Sequence, residues 1–267
     1  MNSTIYSRSE FLRRSHRQKV TIRAVQIAIT LSFLLLWEVA AQLGWIDPFI
    51  LSSPLRMIKM FVQMAADNLA VHILYTVGET LAGFAIGVVI GFGISVGLWY
   101  SHFANSVAAP FLAVTNSLPK IALGPVIIVW AGAGAGAIIT MAVAISLIVT
   151  VMELTHGFYS TDSNMITTVE SFGASRLQIF EKVVLPSNIP VFFQSMKVNM
   201  GLSLVGVIAG EFLVSKAGLG YLIVYAGQVF KMDLVMMSVV LMGFIAFVMY
   251  SLIGKMEKLA VKMINHI

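Results

Sequence analysis

The chain has 267 residues, of which 58% are hydrophobic and only 11% charged, with a formal charge of +5 and no cysteine. An ordinary soluble domain carries about 25% charged residues, so this composition excludes a soluble globular domain, and the lack of cysteine excludes disulfide and thiol chemistry. Six apolar runs are long enough, at roughly 20 residues each, to cross a bilayer core; they point to an all-α, polytopic membrane protein, because a helix satisfies its own backbone groups in lipid.

Residues 1–23 form a basic tail containing Arg8, Arg13, Arg14, Arg17, Lys19 and Arg23, ahead of a membrane domain over 24–267. The positive-inside rule keeps that tail in the cytoplasm. The first apolar run, 24–46, is long for a cleaved signal peptide and is interrupted by Glu38, so it reads as an uncleaved first span. SSPLRMIKMFVQMAADN follows, with apolar residues at helical spacing and Arg56, Lys59 and Asp67 on other faces. Pro54 suits a helix start, and the segment reads as an amphipathic helix on the outer surface.

The second span, 76–100, carries Gly83, Gly87 and Gly91 in steps of four, with Gly93 and Gly97 beyond. Small residues at that spacing let helix backbones approach closely, here within one chain. The third, 107–131, contains Pro110, Pro119 and Pro125 and is made polar by Asn116, Ser117 and Lys120. Prolines remove backbone donors, so this span is expected to be broken and surrounded by protein or a water-filled cavity. AGAGAG at 131–136 makes a tight turn before the fourth span, 136–156, where Glu153 and His156 lie one turn apart and suggest an interfacial hydrogen bond. The fifth and sixth spans are 190–214 and 233–254.

Six spans return the C-terminus to the cytoplasmic side. Twelve of the 17 Lys and Arg residues then lie inside, four (Arg56, Lys59, Lys216, Lys231) outside, and Lys120 within the membrane. That bias supports the orientation independently of span counting; the positive charge reflects it and implies no nucleic-acid partner.

Between spans four and five the chain turns polar over 160–187, in STDSNMITTVESFGASRLQIFEKVVLPSNIP. Asp162 or Ser163 caps a helix running toward Phe172, and Gly173 allows a left-handed turn. SRLQIFEKVV reads as a second short helix with Leu177, Phe180, Val183 and Val184 on its apolar face, stopped by Leu185-Pro186, with Pro190 at the entry to span five. Two short helices around a glycine make a knob whose Phe172, Leu177 and Phe180 can enter a cleft on a partner.

This segment resembles the cytoplasmic coupling loop of inner-membrane permease subunits of bacterial ABC importers. That pattern is Glu-Ala-Ala, three residues, Gly, nine residues, Ile, one residue, Leu-Pro. Gly173, Leu185 and Pro186 match in spacing and Val183 stands in the Ile position, while Thr167, Thr168 and Val169 occupy the Glu-Ala-Ala positions and Glu170 lies three residues late. NSLPKIALGPVIIVWAGAG, FGASRLQIFEKVVLP and GVIAGEFLVSKAGLGYLI are similar to the nitrate/sulfonate/taurine branch, with the likeness running from about residue 50 to 255.

The resemblance implies a permease domain that works as a homodimer or pair in the bacterial inner membrane. It implies two ABC ATPase subunits inside, carrying ATP and Mg, and a substrate-binding protein outside. It implies ATPase coupling through Thr167, Glu170, Phe172, Gly173, Ala174, Ser175, Arg176, Phe180, Leu185 and Pro186. The chain itself has no Gly-x-x-x-x-Gly-Lys-Ser/Thr phosphate loop, so it is not expected to be an enzyme, and the energy source lies elsewhere. The expected cargo is a small solute: an anion such as a sulfonate, nitrate or carboxylate, or a vitamin precursor.

Ionisable residues inside a membrane suggest function, and Glu79, Asn116, Lys120 and Glu211 are the translocation-path candidates. Lys120 beside Pro119 suits an anion. Glu79 opens span two, close enough to the outer surface to be solvated. Glu211, ahead of SKAGLG, either lines an outer gate or, as favoured here, bonds the free amides of the following loop. The histidines at 16, 72, 102, 156 and 266 are scattered, so no metal site is expected, and there is no Gly-x-Ser-x-Gly elbow or paired carboxylate at helical spacing. The 16 methionines read as apolar filler. The alternative function is an ion-coupled secondary transporter, which would show matching broken helices in both halves.

Overall fold

The computed structural model describes residues 8–264. The structure is helical throughout, and no strand occurs among the described residues. Five helices are long and apolar enough to cross a membrane, or six if one sharply bent pair counts as a single span.

The first helix, α1 (Arg8–Gln42), starts well before the expected span and absorbs the described part of the basic tail; residues 1–7 lie outside the described residues. Glu38, near its end, accepts Leu55 N at 3.0 Å and Gln42 Nε2 at 3.0 Å. Leu55 lies in the first turn of α3 (Pro54–Ala66), the expected amphipathic helix, which follows the short α2 (Pro48–Leu51). A carboxylate there takes an amide that has no partner within its own helix. At the junction of α2 and α3, Ser52 is fully buried and donates to Asp233 Oδ1 at 2.7 Å, and Arg56 pairs with the same carboxylate at 3.0 Å.

The second span, α4 (Leu69–Tyr100), begins seven residues earlier than expected. The earlier start brings His72 into the helix ahead of Thr76 and Glu79; Glu79 is only 7% exposed, not solvated as expected, because its face of the helix is covered by the rest of the bundle. The third span is broken as expected: α5 (His102–Ser117) and the helical stretch Lys120–Ala131 meet at 86° across Leu118-Pro119. The second arm is a 3-10 turn, Lys120–Leu123, followed by α6 (Gly124–Ala131).

The fourth span, α7 (Ala135–Tyr159), is the centre of the bundle, packed against α4 on one side and on the other against the fifth span, which runs from Ile189 to Val214. The glycine ladder of α4 faces α7 residue by residue. Gly83 lies against Ala142, Gly87 against Ser146 and Gly91 against Thr150, whereas Gly93 and Gly97 face open space. Polar groups join α7 to the fifth span: Asn199 donates to Thr150 Oγ1 at 2.5 Å, and within the fifth span Ser203 donates to Asn199 Oδ1 at 3.1 Å. In hydrocarbon, close backbone packing and such hydrogen bonds take the place of the hydrophobic drive.

After α7 come α8 (Ser163–Ser171), α9 (Arg176–Ile179), a π-helical turn over Phe180–Val184, and α10 (Leu185–Ser187). The fifth span is α11 (Ile189–Val214), with Pro190 in its first turn as expected. A tight turn over Ser215–Gly218 leads to α12 (Leu219–Gln228) and the last span, α13 (Met232–Ile264). Methionines 200, 237, 242 and 249 do fill the core between α11, α12 and α13.

The seam makes a paired prediction. A Cβ on Gly206 of α11 would come within 2.5 Å of the Ala142 Cα, a backbone atom that cannot swing away. Overpacking of that kind costs roughly 1–3 kcal/mol, so Gly206→Ala should lower the thermal unfolding midpoint in detergent. Gly93→Ala, with nothing within 4 Å of the added carbon, should leave it unchanged or slightly raised.

Candidate functional site

Two groups of residues are the candidates: the loop between the fourth and fifth spans, at one end of the bundle, and the polar side chains at membrane depth. The loop is built by local capping. Asp162 accepts Asn164 N at 2.9 Å and caps α8. Gly173 then takes φ +82, and its amide donates to Glu170 O at 2.8 Å, which turns the chain back; a left-handed residue at a helix end satisfies carbonyls that would otherwise be orphaned. Ser175 opens α9 with a reciprocal capping box, Ser175 N donating to Gln178 Oε1 at 2.8 Å and Gln178 N to Ser175 Oγ at 3.4 Å. The Ser-x-x-Gln spacing that announces this box stands in the sequence and was not used to place the helix start.

The knob is fastened to the bundle at two points. Arg176 donates to Tyr100 O at 2.8 Å, at the C-terminal end of α4, where a helix presents free carbonyls and favours a cation. Phe180 enters an aromatic cluster, with ring centroids 5.1 Å from Trp99, 6.1 Å from Tyr100 and 5.4 Å from Phe158. Phe92, against Phe158 and Phe192, extends the cluster into α11.

This corrects two expectations. Phe180 is 6% exposed and so is not offered to a partner; it was expected on an outward apolar face, but that face is turned to the bundle and buries Ile179, Val183 and Val184 as well. Leu185-Pro186 does not stop the helix. Pro186 falls in the first turn of α10, where its missing N–H leaves no bond unmade, and the turn ends instead at Asn188. The Asn188 amide donates to Thr161 Oγ1 and Val184 O, both at 2.8 Å. Phe172, by contrast, is 86% exposed, Leu177 is exposed, and Thr167, Glu170, Gly173 and Ser175 share that surface, with Ala174 half-buried beneath them.

At the opposite end of the bundle, Glu211 is 1% exposed and both its oxygens are engaged: Oε1 accepts the Thr76 hydroxyl at 2.6 Å and Oε2 accepts Gly220 N at 2.5 Å. Thr76 in turn accepts Leu219 N at 2.8 Å, and His72 Nδ1 accepts Gly218 N at 3.1 Å. The favoured expectation for Glu211, bonding the loop's free amides, matches this geometry. Glu79 lies one turn beyond Thr76 on the same face of α4 and adjoins Glu211. The chain therefore does bring two carboxylates together, from positions far apart in sequence. His72 and Thr76 were not singled out; the signal was the spacing of His72, Thr76 and Glu79 along one face of an apolar helix.

Asn116 and Lys120 flank the break in the third span, and Lys120 Nζ donates to Asn116 Oδ1 at 3.0 Å on an exposed face. Beside the break, α11 and the second arm enclose an apolar groove of about 560 Å³ lined by Ile121, Pro125, Val205 and Phe212. Glu153 and His156 do not form the expected bond: Glu153 Oε2 is buried with no partner, and His156 faces outward one turn on. No metal-binding cluster occurs among the described residues.

Comparison with known proteins adds three findings. The family described as binding-protein-dependent transport system inner membrane component matches residues 89–258. The chain is 29% identical over 90% of its length to 90% of the riboflavin transport system permease protein of Chloroflexus aurantiacus, and 22% identical over 93% of its length to 92% of the taurine transport system permease protein of Escherichia coli. A chain of the MetNI methionine ABC transporter, solved in inward-facing conformations, shares the fold with a TM-score of 0.64 at 18% identity, covering 72% of this chain and 95% of that one.

The two aromatic residues of the loop should separate cleanly in a stability measurement. Removing a buried Phe side chain costs about 3–5 kcal/mol. Phe180→Ala should therefore lower the unfolding midpoint of the detergent-solubilised protein markedly, and Phe172→Ala should leave it unchanged.

Proposed function

The chain belongs to the family of binding-protein-dependent transport system inner membrane components, and from that premise we propose how it works as the permease of an ABC importer. Two copies of the chain form the solute path. Two separate ATPase subunits bind ATP and Mg on the cytoplasmic side, and a binding protein delivers the solute from outside. The permease is multi-pass in the cytoplasmic membrane with both termini inside, as its excess of inner Lys and Arg favours.

The observation that carries the coupling role is the contrast between Phe172 and Phe180: one aromatic stands 86% exposed on the apex of the knob and the other is 6% exposed at its base. An exposed Phe on a capped, fastened element is an anchor for a cleft on a partner. The docking face comprises Thr167, Glu170, Phe172, Gly173, Ala174 and Ser175. Arg176, Phe180, Leu185 and Pro186 hold that face to α4, α7 and α11, so that closure of the ATPases moves the helix ends as one body.

Solute contact is assigned to the broken third span. Irregular backbone at membrane depth is tolerated where it borders protein or a water-filled cavity, and Asn116 and Lys120 sit at the break. A cation there suits a sulfonate, nitrate or carboxylate. The riboflavin permease among the relatives supports the vitamin or vitamin-precursor class. Glu79 and Glu211 hold the outer end of the path in shape.

Co-purification tests the docking face. Phe172→Asp combined with Gly173→Arg should abolish recovery of the ATPase with the permease, and Phe172→Asp alone should give the same loss with the permease folded, because the Phe172 ring is 86% exposed whereas a side chain at Gly173 strains a backbone held at φ +82. ATP-driven uptake should vanish with it. Full ATPase recovery by the double variant, or uptake that persists without any ATPase, would overturn the proposal.

A further inference from the structure

The clasp at the outer end contains a charge problem that its hydrogen bonds do not solve. Glu211 and Glu79 are 1% and 7% exposed and adjoin one another. Neither has a Lys or Arg within ion-pairing distance among the described residues; the ion pairs found there are Arg56 with Asp233 and Lys197 with Glu257. Glu211 has a donor on each oxygen, from Thr76 and Gly220. Glu79 Oε2 is buried with no partner at all. A charged carboxylate in that position would carry an undonated oxygen beside a second negative charge, in a medium that screens neither.

We propose that Glu79 and Glu211 share one bound proton, so that the clasp carries a single negative charge and the proton belongs to the structure of the outer mouth. With Glu79 as the acid, its hydroxyl donates to the Glu211 carboxylate, and its remaining oxygen is a neutral carbonyl, for which a missing donor is a much smaller loss. Glu211 then accepts from Thr76, Gly220 and Glu79 together. The start of α12 closes tightly on this carboxylate, since a Cβ at Gly220 would come within 2.7 Å of Glu211 Oε2.

The other titratable groups on the packed elements are few. On α4 the nearest is His72, whose Nδ1 accepts Gly218 N and whose ring stacks on Tyr221 of α12 at 6.0 Å. Lys216 in the turn is exposed, and α7 carries no ionisable residue before Glu153. Nothing on these elements supplies a positive charge that would replace the proton.

The sign of the pH dependence follows. A proton held more tightly in the folded than in the unfolded chain stabilises the fold at low pH, and that stability is lost as the pH rises through the range in which the folded clasp releases it. Glu79→Gln keeps the shape of the protonated acid and cannot lose a proton. The test uses the purified full-length chain without ATPase, so it does not depend on the importer reading. Infrared difference spectra of wild type minus Glu79→Gln should contain a protonated-carboxyl carbonyl band. Unfolding midpoints recorded from mildly acid to alkaline pH should fall for wild type and stay level for Glu79→Gln, the two coinciding at the acid end. Absence of the band, or a Glu79→Gln midpoint that tracks the wild type across the series, would overturn the proposal. If that variant does not express, a wild-type midpoint that stays flat with pH overturns it alone.

Discussion

The close approach of α4 to α7 is the contact on which the remaining arrangement depends. Gly83, Gly87 and Gly91 present bare backbone to Ala142, Ser146 and Thr150, and Gly206 and Gly210 of α11 do the same to Ala142 and Ile138 from the other side. A central helix gripped on both faces by small residues leaves no freedom in the heights of its neighbours. It follows that Thr76 and Glu211 meet at one end, and that Tyr100, Phe158 and Phe192 converge at the other. The Glu211 clasp and the aromatic cluster are consequences of one seam, and both are fixed relative to each other through rigid helices.

The spans were legible because the bilayer permits so few alternatives: length and apolarity sufficed to locate them, and the prolines correctly marked the break at Leu118-Pro119. Boundaries were less legible where polar residues turned inward. His72 fell outside the expected second span, and nothing marked Thr76, at its first position, as a bonding residue, because polarity in a sequence carries no information about which neighbour will satisfy it. The partner in this case, Glu211, lies 135 residues away. The same holds for Asn199 and Thr150, which find each other across two helices.

The loop shows the complementary limit. Its capping residues and its glycine turn are local, and Asp162 and Gly173 act as their positions suggested. Which side of the second short helix faces the bundle is not local. Leu177 and Phe180 look alike in the sequence, and the choice between them is made by Trp99, Tyr100 and Phe158, supplied by two other helices. Thr167 stands where the resemblance expects an acid, and Glu170, three residues on, is exposed on α8.

The π-helical turn at Phe180–Val184 sets how the knob is aimed. A π turn accommodates one residue more than an α-helix would over the same rise, and each helical residue rotates the chain by about 100°. A related chain shorter by one residue here would present its apical aromatic on a different bearing from the membrane normal, even with every other side chain unchanged. Insertions and deletions in this short stretch therefore change the direction in which the loop presents its exposed aromatic without changing its chemistry.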